Sequence, residues 1–294
     1  MAERIPVLAV VGPTAVGKSA YALRLAEEYG GEIVSGDSMQ IYKGMDIGTA
    51  KASPDERRRI RHHMLDIAEI DEPFSADRFL MLAREAIEEI ASGGKLPIVC
   101  GGTGLYIELL LTGTRLPEGK PDPELRRELA AYADAHGPEA LHEILKREDP
   151  AEAEKIHPNN VKRVVRAIEI CRTSGMTKTE ADRMSREGGS PFDATVHFLT
   201  CGDRSALYRR IEQRVDDMFE RGLENEVKTL CARGLRESPT ASQAIGYKEF
   251  YPYLDGKANL ESVRETLTAN TRHYAKRQET WFRRMHTDVL VTVG

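Results

Sequence analysis

The sequence predicts an α/β fold, a parallel sheet flanked by helices and interrupted by an all-helical insertion domain. Two observations carry this prediction. Short apolar runs alternate with helical patterns, beginning with a strand at Ile5–Val11 and a helix at Lys18–Tyr29. Between them stands Gly12-Pro-Thr-Ala-Val-Gly-Lys-Ser19, which fits the pattern G-x-x-x-x-G-K-S/T of a phosphate-binding loop. Strand, loop and helix follow in the order that a P-loop NTPase-like sheet requires.

The rest of the chain continues this alternation around one region of different composition. We predict further strands at residues 32–35, 96–100, 195–201 and 288–293. We predict further helices at residues 76–91, 105–111, 204–221, 223–233, 247–254 and 260–285. A linker rich in Pro, Gly, Asp and Lys at Pro117–Pro123 precedes a charged helical stretch. We therefore predict a P-loop core at residues 1–118 and 192–294, and a helical insertion domain at residues 119–191.

The loop itself indicates a ligand that carries a diphosphate or triphosphate. Backbone N–H groups of such a loop and the positive end of the following helix surround phosphate oxygens. Lys18 is expected to neutralise these oxygens, and the Ser19 hydroxyl to help hold Mg²⁺. The predicted phosphate-binding residues are Gly12, Pro13, Thr14, Ala15, Val16, Gly17, Lys18 and Ser19.

Composition and charge restrict the class of protein. The 294 residues contain no apolar run of transmembrane length, and the N-terminus lacks a signal-peptide pattern, so we expect a cytoplasmic protein. The four cysteines are far apart, which argues against a zinc site. The net charge of −5 excludes a general attraction to nucleic acid. However, residues 264–284 hold six basic and two acidic side chains, which is typical of an RNA-binding face.

Polar residues follow the second and third predicted strands. Asp37 and Ser38 come after residues 32–35, beside the P-loop, where a carboxylate can accept a proton or bind a metal through water. The alternative is that Asp37 only caps a turn. Gln40 offers an amide that can contact an adenine edge. The turn Gly101-Gly102-Thr103-Gly104 is either a second anion-binding nest or a tight strand-to-helix connection.

Two helices carry basic faces. Arg210, Arg214 and Arg221 share one face of the helix that begins at residue 204, and forked guanidinium groups suit a diphosphate. The last long helix presents Arg272, Lys276 and Arg283 on one face, which suits a nucleic-acid backbone, although a solvated face is the alternative. Its opposite face, which we expect to pack inward, holds Tyr274, Gln278, Trp281 and Phe282.

Together with these motifs, further segments give the chain a resemblance to the bacterial tRNA dimethylallyltransferases, also called tRNA isopentenyltransferases. The segments that carry it, in order, are Gly12–Ser19, Ser35–Tyr42, Gly44–Lys51, His62–Asp66, Gly101–Tyr106, Gln243–Glu249 and Arg272–Arg284. The resemblance implies transfer of a dimethylallyl group from dimethylallyl diphosphate to N6 of adenine 37 in tRNAs that read codons beginning with U. N6-isopentenyladenosine and diphosphate are the implied products.

The resemblance also implies roles for individual residues. Asp37 would be the general base, with Thr103 near the reacting centre and Arg214, together with Arg221, on the diphosphate. Mg²⁺ at Ser19, partly through water, would be the cofactor, and the anticodon stem-loop of tRNA the partner. We expect a monomer, because the sequence shows no dimerisation signature. The implied tRNA-binding residues are Asp37, Ser38, Met39, Gln40, Thr103, Lys162, Arg163, Arg166, Gln243, Arg272, Lys276 and Arg283. Many family members carry glutamine where this chain has Lys162.

Three alternatives remain open at this point. An isopentenyltransferase acting on free adenine nucleotides would share the P-loop and Asp37. A small-molecule kinase would place ATP at the P-loop. A non-catalytic RNA-binding module would leave both features unexplained. The helical insertion and the basic last helix favour a substrate of tRNA size.

Overall fold

The computed structural model describes residues 4–114, 122–185 and 187–293. The described strands are β1 Ile5–Val11, β2 Gly31–Ser35, β3 His62–His63, β4 Leu96–Gly101, β5 Phe192–Cys201 and β6 Val289–Val293. The described helices are α1 Lys18–Tyr29, α2 Pro54–Arg59, α3 Ala76–Ser92, α4 Gly104–Thr112, α5 Pro123–His136, α6 Pro138–Glu148, α7 Pro150–Ala153, α8 Val161–Ser174, α9 Lys178–Met184, α10 Arg204–Glu220, α11 Leu223–Ala232, α12 Tyr251–Leu254 and α13 Leu260–Phe282. No helix among these residues is long and apolar enough to span a bilayer.

The chain divides into two compact units. The core unit comprises Met1–Leu111 and Pro191–Gly294, and the helical unit comprises Thr112–Ser190. The boundary expected between residues 118 and 119, and most of the linker expected at Pro117–Pro123, lie outside the described residues. At the other end, the helical unit stops at Ser190, one residue before the end expected from the sequence.

The core unit is built on a six-stranded parallel sheet in the order β3-β2-β4-β1-β5-β6. Strand β1 is central, since Ala9 pairs with Val99 of β4 on one side and with Val196 of β5 on the other. Val7–Val11 is buried throughout, as a strand covered on both faces requires. The predicted parallel α/β fold, including the return of the chain to the sheet at β5, is confirmed.

Helix α1 shows how local sequence sets the elements that position the P-loop. Its N-cap Gly17 has φ 100°, and its C-cap Gly30 has φ 64° and donates its N–H to Ala26. Both conformations are left-handed, where glycine carries no steric penalty. The apolar side of the helix packs against the sheet in a core shared with Val10, Ile98, Leu199, Ile211 and Ala275.

The structure differs from the sequence prediction at three places. Helix α2 and strand β3 were not predicted, and two residues of strand are too short to show a periodic pattern. The helix predicted for residues 247–254 is a 3₁₀ turn at Lys248–Phe250 followed by the single turn α12. Pro252 lies in the first turn of α12, where its missing N–H costs no helical hydrogen bond.

The helical unit has a core of its own. Helices α5, α6 and α8 contribute its buried side chains, which include Leu129, Leu141, Leu145, Val164 and Ile168. Glu169 is fully buried at its edge, where its carboxylate accepts hydrogen bonds from Arg126, Arg166 and the N–H of Asp122. Burial alone would raise the pKa of Glu169, but the hydrogen bonds from Arg166, the N–H of Asp122 and Arg126 hold it below its usual value.

Candidate active site

A pocket of about 350 Å³ lies where β1, β2 and β4 end. The P-loop follows β1, Asp37 follows β2, and the Gly102–Thr103 turn follows β4. In parallel sheets the carboxyl ends of neighbouring strands share one edge, which is where ligands bind. The lining includes residues that the sequence analysis named in five separate segments, and these are Thr14, Lys18, Ser19, Asp37, Ser38, Met39, Gln40, Gly102, Arg214 and Gln243.

The P-loop has the strained backbone that a close turn around an anion requires. Gly12 has φ 147°, and a Cβ there would lie 2.3 Å from the carbonyl oxygen of Leu199. Ala15 adopts φ 64°, which is uncommon for a residue with a side chain and costs about 1 kcal/mol. Lys18 Nζ donates to the carbonyl of Pro13 at 2.7 Å, so the lysine bends back over the loop. Ser19 is exposed and lines the pocket.

The segment after β2 is fastened to the turn after β4. The N–H of Ser38 donates to Thr103 Oγ1 at 3.0 Å, and Thr103 Oγ1 lies 3.3 Å from Ser38 Oγ. The N–H of Thr103 in turn donates to the carbonyl of Gly36 at 3.2 Å. Asp37 Oδ1 accepts the N–H of Met39 at 2.8 Å, so Asp37 caps a turn and also lines the pocket. The two alternatives considered for this carboxylate are therefore compatible.

Burial disfavours the charged forms of the cationic groups in the pocket, so a bound anion would stabilise them. It lowers the pKa of Lys18 to about 8, with Arg214 acting in the same direction and Asp37 opposing it. Burial also lowers the pKa of Arg214, and Asp37 again opposes the shift. The thiol of Cys100 beside them has its pKa raised to about 11 by burial and stays protonated. A bound polyphosphate would pair with Lys18 and Arg214 and offset the cost of burying their charges.

The three arginines of α10 do not all reach the pocket. Arg214 lines it, and Arg210 Nη1 approaches the carbonyl of Val16 in the P-loop at 3.5 Å. Arg221 is exposed, forms the C-cap that follows the last residue of α10, and is not among the lining residues. It still acts on Arg214 electrostatically. A direct contact of Arg221 with a diphosphate stays a prediction that this arrangement does not favour.

The side-chain amide of Gln40 is already hydrogen-bonded within the protein. Its Oε1 accepts the hydroxyl of Ser35 at 2.8 Å, and its Nε2 donates to the carbonyl of Thr49 at 3.2 Å. An adenine would have to compete with these bonds, so the predicted base contact would need the side chain to rearrange. Gln243 is exposed and lines the pocket, and its amide Nε2 lies 3.4 Å from Ser242 Oγ.

The basic face of α13 is partly neutralised within the protein. Arg272 pairs with Glu212 and stacks on Tyr208, and Arg283 pairs with Glu279 at 2.8 Å. Lys276 instead lines a second, open cavity of about 560 Å³ on the outer side of the helix. The other residues lining this cavity are His273, Arg277, Thr280, Trp281 and Arg284. Of the three predicted RNA contacts, Lys276 therefore has the most suitable surroundings.

In the helical unit, the predicted RNA contacts lie together at the start of α8. Lys162 and Arg163 are exposed there. Arg166, one turn later, donates to the buried Glu169 at 2.5 Å. Arg166 therefore serves the core of this unit, whereas Lys162 and Arg163 remain accessible to a partner.

The lining residues that were not singled out as site residues from the sequence include Tyr274, Arg277 and Gln278 of α13. Burial raises the pKa of Tyr274, with Asp37 acting in the same direction. Gln278 contacts both glycine-rich turns, and Arg277 lines both cavities. The sequence signal that could have found Gln278 is a polar amide on the face of α13 that was expected to pack inward.

Glycines of the N-terminal half make room for side chains of the C-terminal part of the core unit. A Cβ on Gly48 would lie 2.5 Å from the ring of Tyr247. On Gly104 it would lie 2.5 Å from the ring of Trp281, and on Gly102 it would lie 2.2 Å from Gln278 Nε2. Gly102 and Gly104 of the second glycine-rich turn thus allow close packing. This agrees with the tight strand-to-helix connection, one of the two alternatives considered for this turn.

Comparison with known proteins decides the family. The model of the IPP transferase family matches residues 40–285. This chain belongs to the IPP transferase family. It is 50% identical over 283 residues to a tRNA dimethylallyltransferase of Geobacillus thermodenitrificans, covering 96% of this chain and 88% of that relative. Identity to a tRNA dimethylallyltransferase of Bacillus pumilus is 48%, with 95% and 86% covered.

Solved structures of this family share the fold. The full-length tRNA isopentenylpyrophosphate transferase of Bacillus halodurans is 43% identical, with a TM-score of 0.71, and the match covers 99% of this chain and 90% of that one. A eukaryotic dimethylallyltransferase acting on tRNA is 34% identical, with a TM-score of 0.82, over 94% of this chain and 69% of that one. The match of this family member to both structures agrees with its P-loop α/β core.

Proposed function

We propose that this chain transfers a dimethylallyl group from dimethylallyl diphosphate to N6 of adenine 37 in tRNAs that read codons beginning with U. The observation that carries the proposal is one pocket lined by Asp37, Lys18 and Arg214 beside the P-loop. Thr103 is not among its lining residues, but its hydroxyl accepts the N–H of Ser38 and so holds the segment that carries Asp37. The names of the relatives favour this reaction over the two other enzymatic alternatives, a free-nucleotide prenyltransferase and a kinase.

The reaction needs both the base and the phosphate-binding groups of the pocket. The N6 amine of adenine is a poor nucleophile, because its lone pair is delocalised into the ring. The amine attacks the allylic carbon, the carbon–oxygen bond to the diphosphate breaks, and the diphosphate leaves with the electron pair. Asp37 accepts the proton that the amine loses as the new carbon–nitrogen bond forms. P-loop N–H groups, Lys18 and Arg214 stabilise the charge that develops on the leaving diphosphate.

The residues at the start of α1 suit Mg²⁺. Ser19 is exposed and lines the pocket, and its hydroxyl would supply one oxygen ligand. Mg²⁺ commonly keeps several waters and takes its other ligands from substrate phosphates, so one protein oxygen is a sufficient anchor. The ion would supply additional charge neutralisation of the diphosphate. The described residues hold no group of three or more His, Cys, Asp or Glu side chains that could bind a metal elsewhere.

The tRNA would present its anticodon stem-loop, with the target adenine extruded so that its amine reaches the pocket. Lys276, Arg277 and Arg284 around the outer cavity of α13 are suited to RNA phosphates, and so are the exposed Lys162 and Arg163. We expect the enzyme to act as a monomer in the cytoplasm.

The test is transfer of labelled dimethylallyl diphosphate, with Mg²⁺, to unmodified tRNA or to AMP. Label in tRNA supports the proposal, and label in AMP alone would move the function to free nucleotides. Phosphoryl transfer from ATP without prenyl transfer would overturn it. Asp37→Asn keeps the acceptor for the N–H of Met39 but removes the base, so turnover should fall by about 10²- to 10⁴-fold with tRNA affinity little changed. Near-normal turnover in this variant would remove Asp37 from the base role.

A further inference from the structure

The side-chain amide of Gln278 joins the two glycine-rich turns of the core unit. Its Oε1 accepts the N–H of Thr14 in the P-loop at 2.8 Å, and its Nε2 donates to the carbonyl of Gly102 at 2.9 Å. The side chain is 5% exposed, so water does not readily replace either bond. A single buried amide therefore spans the turn after β1 and the turn after β4.

The bridge continues to the proposed base. Gly102 precedes Thr103, whose hydroxyl accepts the N–H of Ser38, and Ser38 follows Asp37. On the other side, Thr14 precedes Ala15, the residue with φ 64° in the P-loop. Gln278 thus connects the strained part of the phosphate-binding loop with the segment that carries Asp37.

The fit around Gln278 is specific to its shape and polarity. A Cβ at residue 102 would lie 2.2 Å from Nε2, so the glycine leaves the space that the amide occupies. The amide meets a donor with its oxygen and an acceptor with its nitrogen, an arrangement that neither a carboxylate nor an aliphatic side chain of similar size reproduces. Beside it on α13, Ala275 and Phe282 are fully buried and apolar.

We infer that Gln278 is a positioning residue, whose amide bridge sets the distance between the diphosphate of the donor and the base that acts on the acceptor amine. The inference rests on the proposed function. A prenyl transfer depends on the separation of the allylic carbon and the amine, and a misplacement of about 1 Å can cost about 10²-fold in rate. Loss of the bridge should therefore reduce turnover strongly. It should reduce the affinity for each substrate much less.

The experiment compares Gln278→Leu with Asn259→Ala. Asn259 caps the N-terminus of the same helix by accepting the N–H of Ser262 at 2.9 Å, and it does not line either cavity. Gln278→Leu should lower kcat by about 10²-fold and change the Kd values of tRNA and inorganic diphosphate less than about threefold. Asn259→Ala should lower Tm and leave these constants unchanged. Equal kcat losses in both variants, or kcat within threefold of wild type in Gln278→Leu, would overturn the inference.

Gln278→Glu adds a readout that a merely structural role would not move. Its carboxylate can still accept the N–H of Thr14 but cannot donate to Gly102, and burial beside a carbonyl should raise its pKa. The ratio of its kcat to that of wild type should therefore rise as the pH falls and the protonated carboxyl donates again. A ratio that is independent of pH contradicts the inference. If Gln278→Leu does not fold, the pH dependence of Gln278→Glu tests the inference by itself.

Exchange of the Thr14 amide hydrogen separates this inference from the proposed function. It should be faster in Gln278→Leu than in wild type, and unchanged in Asn259→Ala, whatever reaction the enzyme catalyses. Unchanged exchange in Gln278→Leu would refute the bridge. Absence of prenyl transfer in the wild-type protein would refute the proposed function alone.

Discussion

The Tyr247 hydroxyl donates a 2.7 Å hydrogen bond to Glu226, whose carboxylate also accepts the N–H groups of Asp46, Ile47 and Gly48. Tyr247 is fully buried with its ring against Gly48, and burial beside Glu226 raises its pKa well above the usual value. One carboxylate from α11 thus organises the loop that follows Tyr42. The carbonyl of Thr49 in this loop accepts a hydrogen bond from Gln40, so the loop also supports the segment that carries Asp37.

Glu226→Ala should lower the free energy of unfolding by about 2–3 kcal/mol, because four donors lose a charged acceptor and water recovers only part of the bonding. Tyr247→Phe keeps the ring on Gly48 and removes one donor, so it should cost about 1 kcal/mol. Urea unfolding measures both values. A smaller effect of Glu226→Ala than of Tyr247→Phe would contradict this account of the loop.

Affinity for dimethylallyl diphosphate without acceptor should depend on pH through Lys18. The free protein has a Lys18 pKa of about 8, and the diphosphate pairs with the protonated amine. Above that pH a proton must be taken up on binding, so affinity should fall about tenfold between pH 7 and pH 9. Calorimetric titration measures this, with Lys18→Met as the control. The control should bind weakly without this dependence, and an equal slope in both proteins would assign the titration to another group.

Arg214→Lys should weaken binding of the donor although the charge is kept. A lysine cannot reproduce forked hydrogen bonds to a diphosphate, and the loss of a charged hydrogen bond of about 1.5–3 kcal/mol corresponds to roughly 10- to 100-fold in Kd. Arg209→Lys on the same helix is the matched control, because Arg209 is exposed and lies 3.9 Å from Asp203. Comparable Kd values for the two variants would show that Arg214 does not contact the donor.

Lys276→Gln should weaken tRNA binding equally for all substrate tRNAs. If Lys276 neutralises one phosphate, the slope of log affinity against log salt concentration should decrease by about 1. Lys257→Gln is the control, since Lys257 is exposed and lies 3.6 Å from Asp255, outside both cavities. Filter binding over a range of salt concentrations distinguishes them. An unchanged slope for Lys276→Gln would place the RNA elsewhere.

Local pattern was sufficient for the elements around the P-loop. The predicted strand Ile5–Val11 and helix Lys18–Tyr29 have the observed bounds, because a buried strand and an amphipathic helix bounded by glycine leave clear periodicities. The expectation that Asp37 lies beside the P-loop also agrees with the structure, because β2 and β1 run parallel on either side of β4 and end at the same edge of the sheet. The strand order was not predictable in this way, and neither was the two-residue strand at His62 and His63.

The remaining parts of the pocket depend on contacts that are remote in sequence. Gln278 meets Gly102 across 176 residues and Thr14 across 264 residues. The pattern of α13 predicts that Gln278 faces inward, but no local pattern specifies its partners. The same holds for Gln40, where the sequence offers an amide suited to adenine and only the fold reveals that Ser35 and Thr49 occupy it.

The pairing of early glycines with late side chains has a consequence for how this enzyme is made. Gly48, Gly102 and Gly104 leave the ribosome well before Tyr247, Gln278 and Trp281, the side chains that fill the space beside them. A nascent chain that has already formed the P-loop strand and helix therefore still lacks one wall of its pocket. Competence to hold the donor should arise late in synthesis, when α13 folds onto the sheet, so that an unfinished chain does not sequester the prenyl diphosphate.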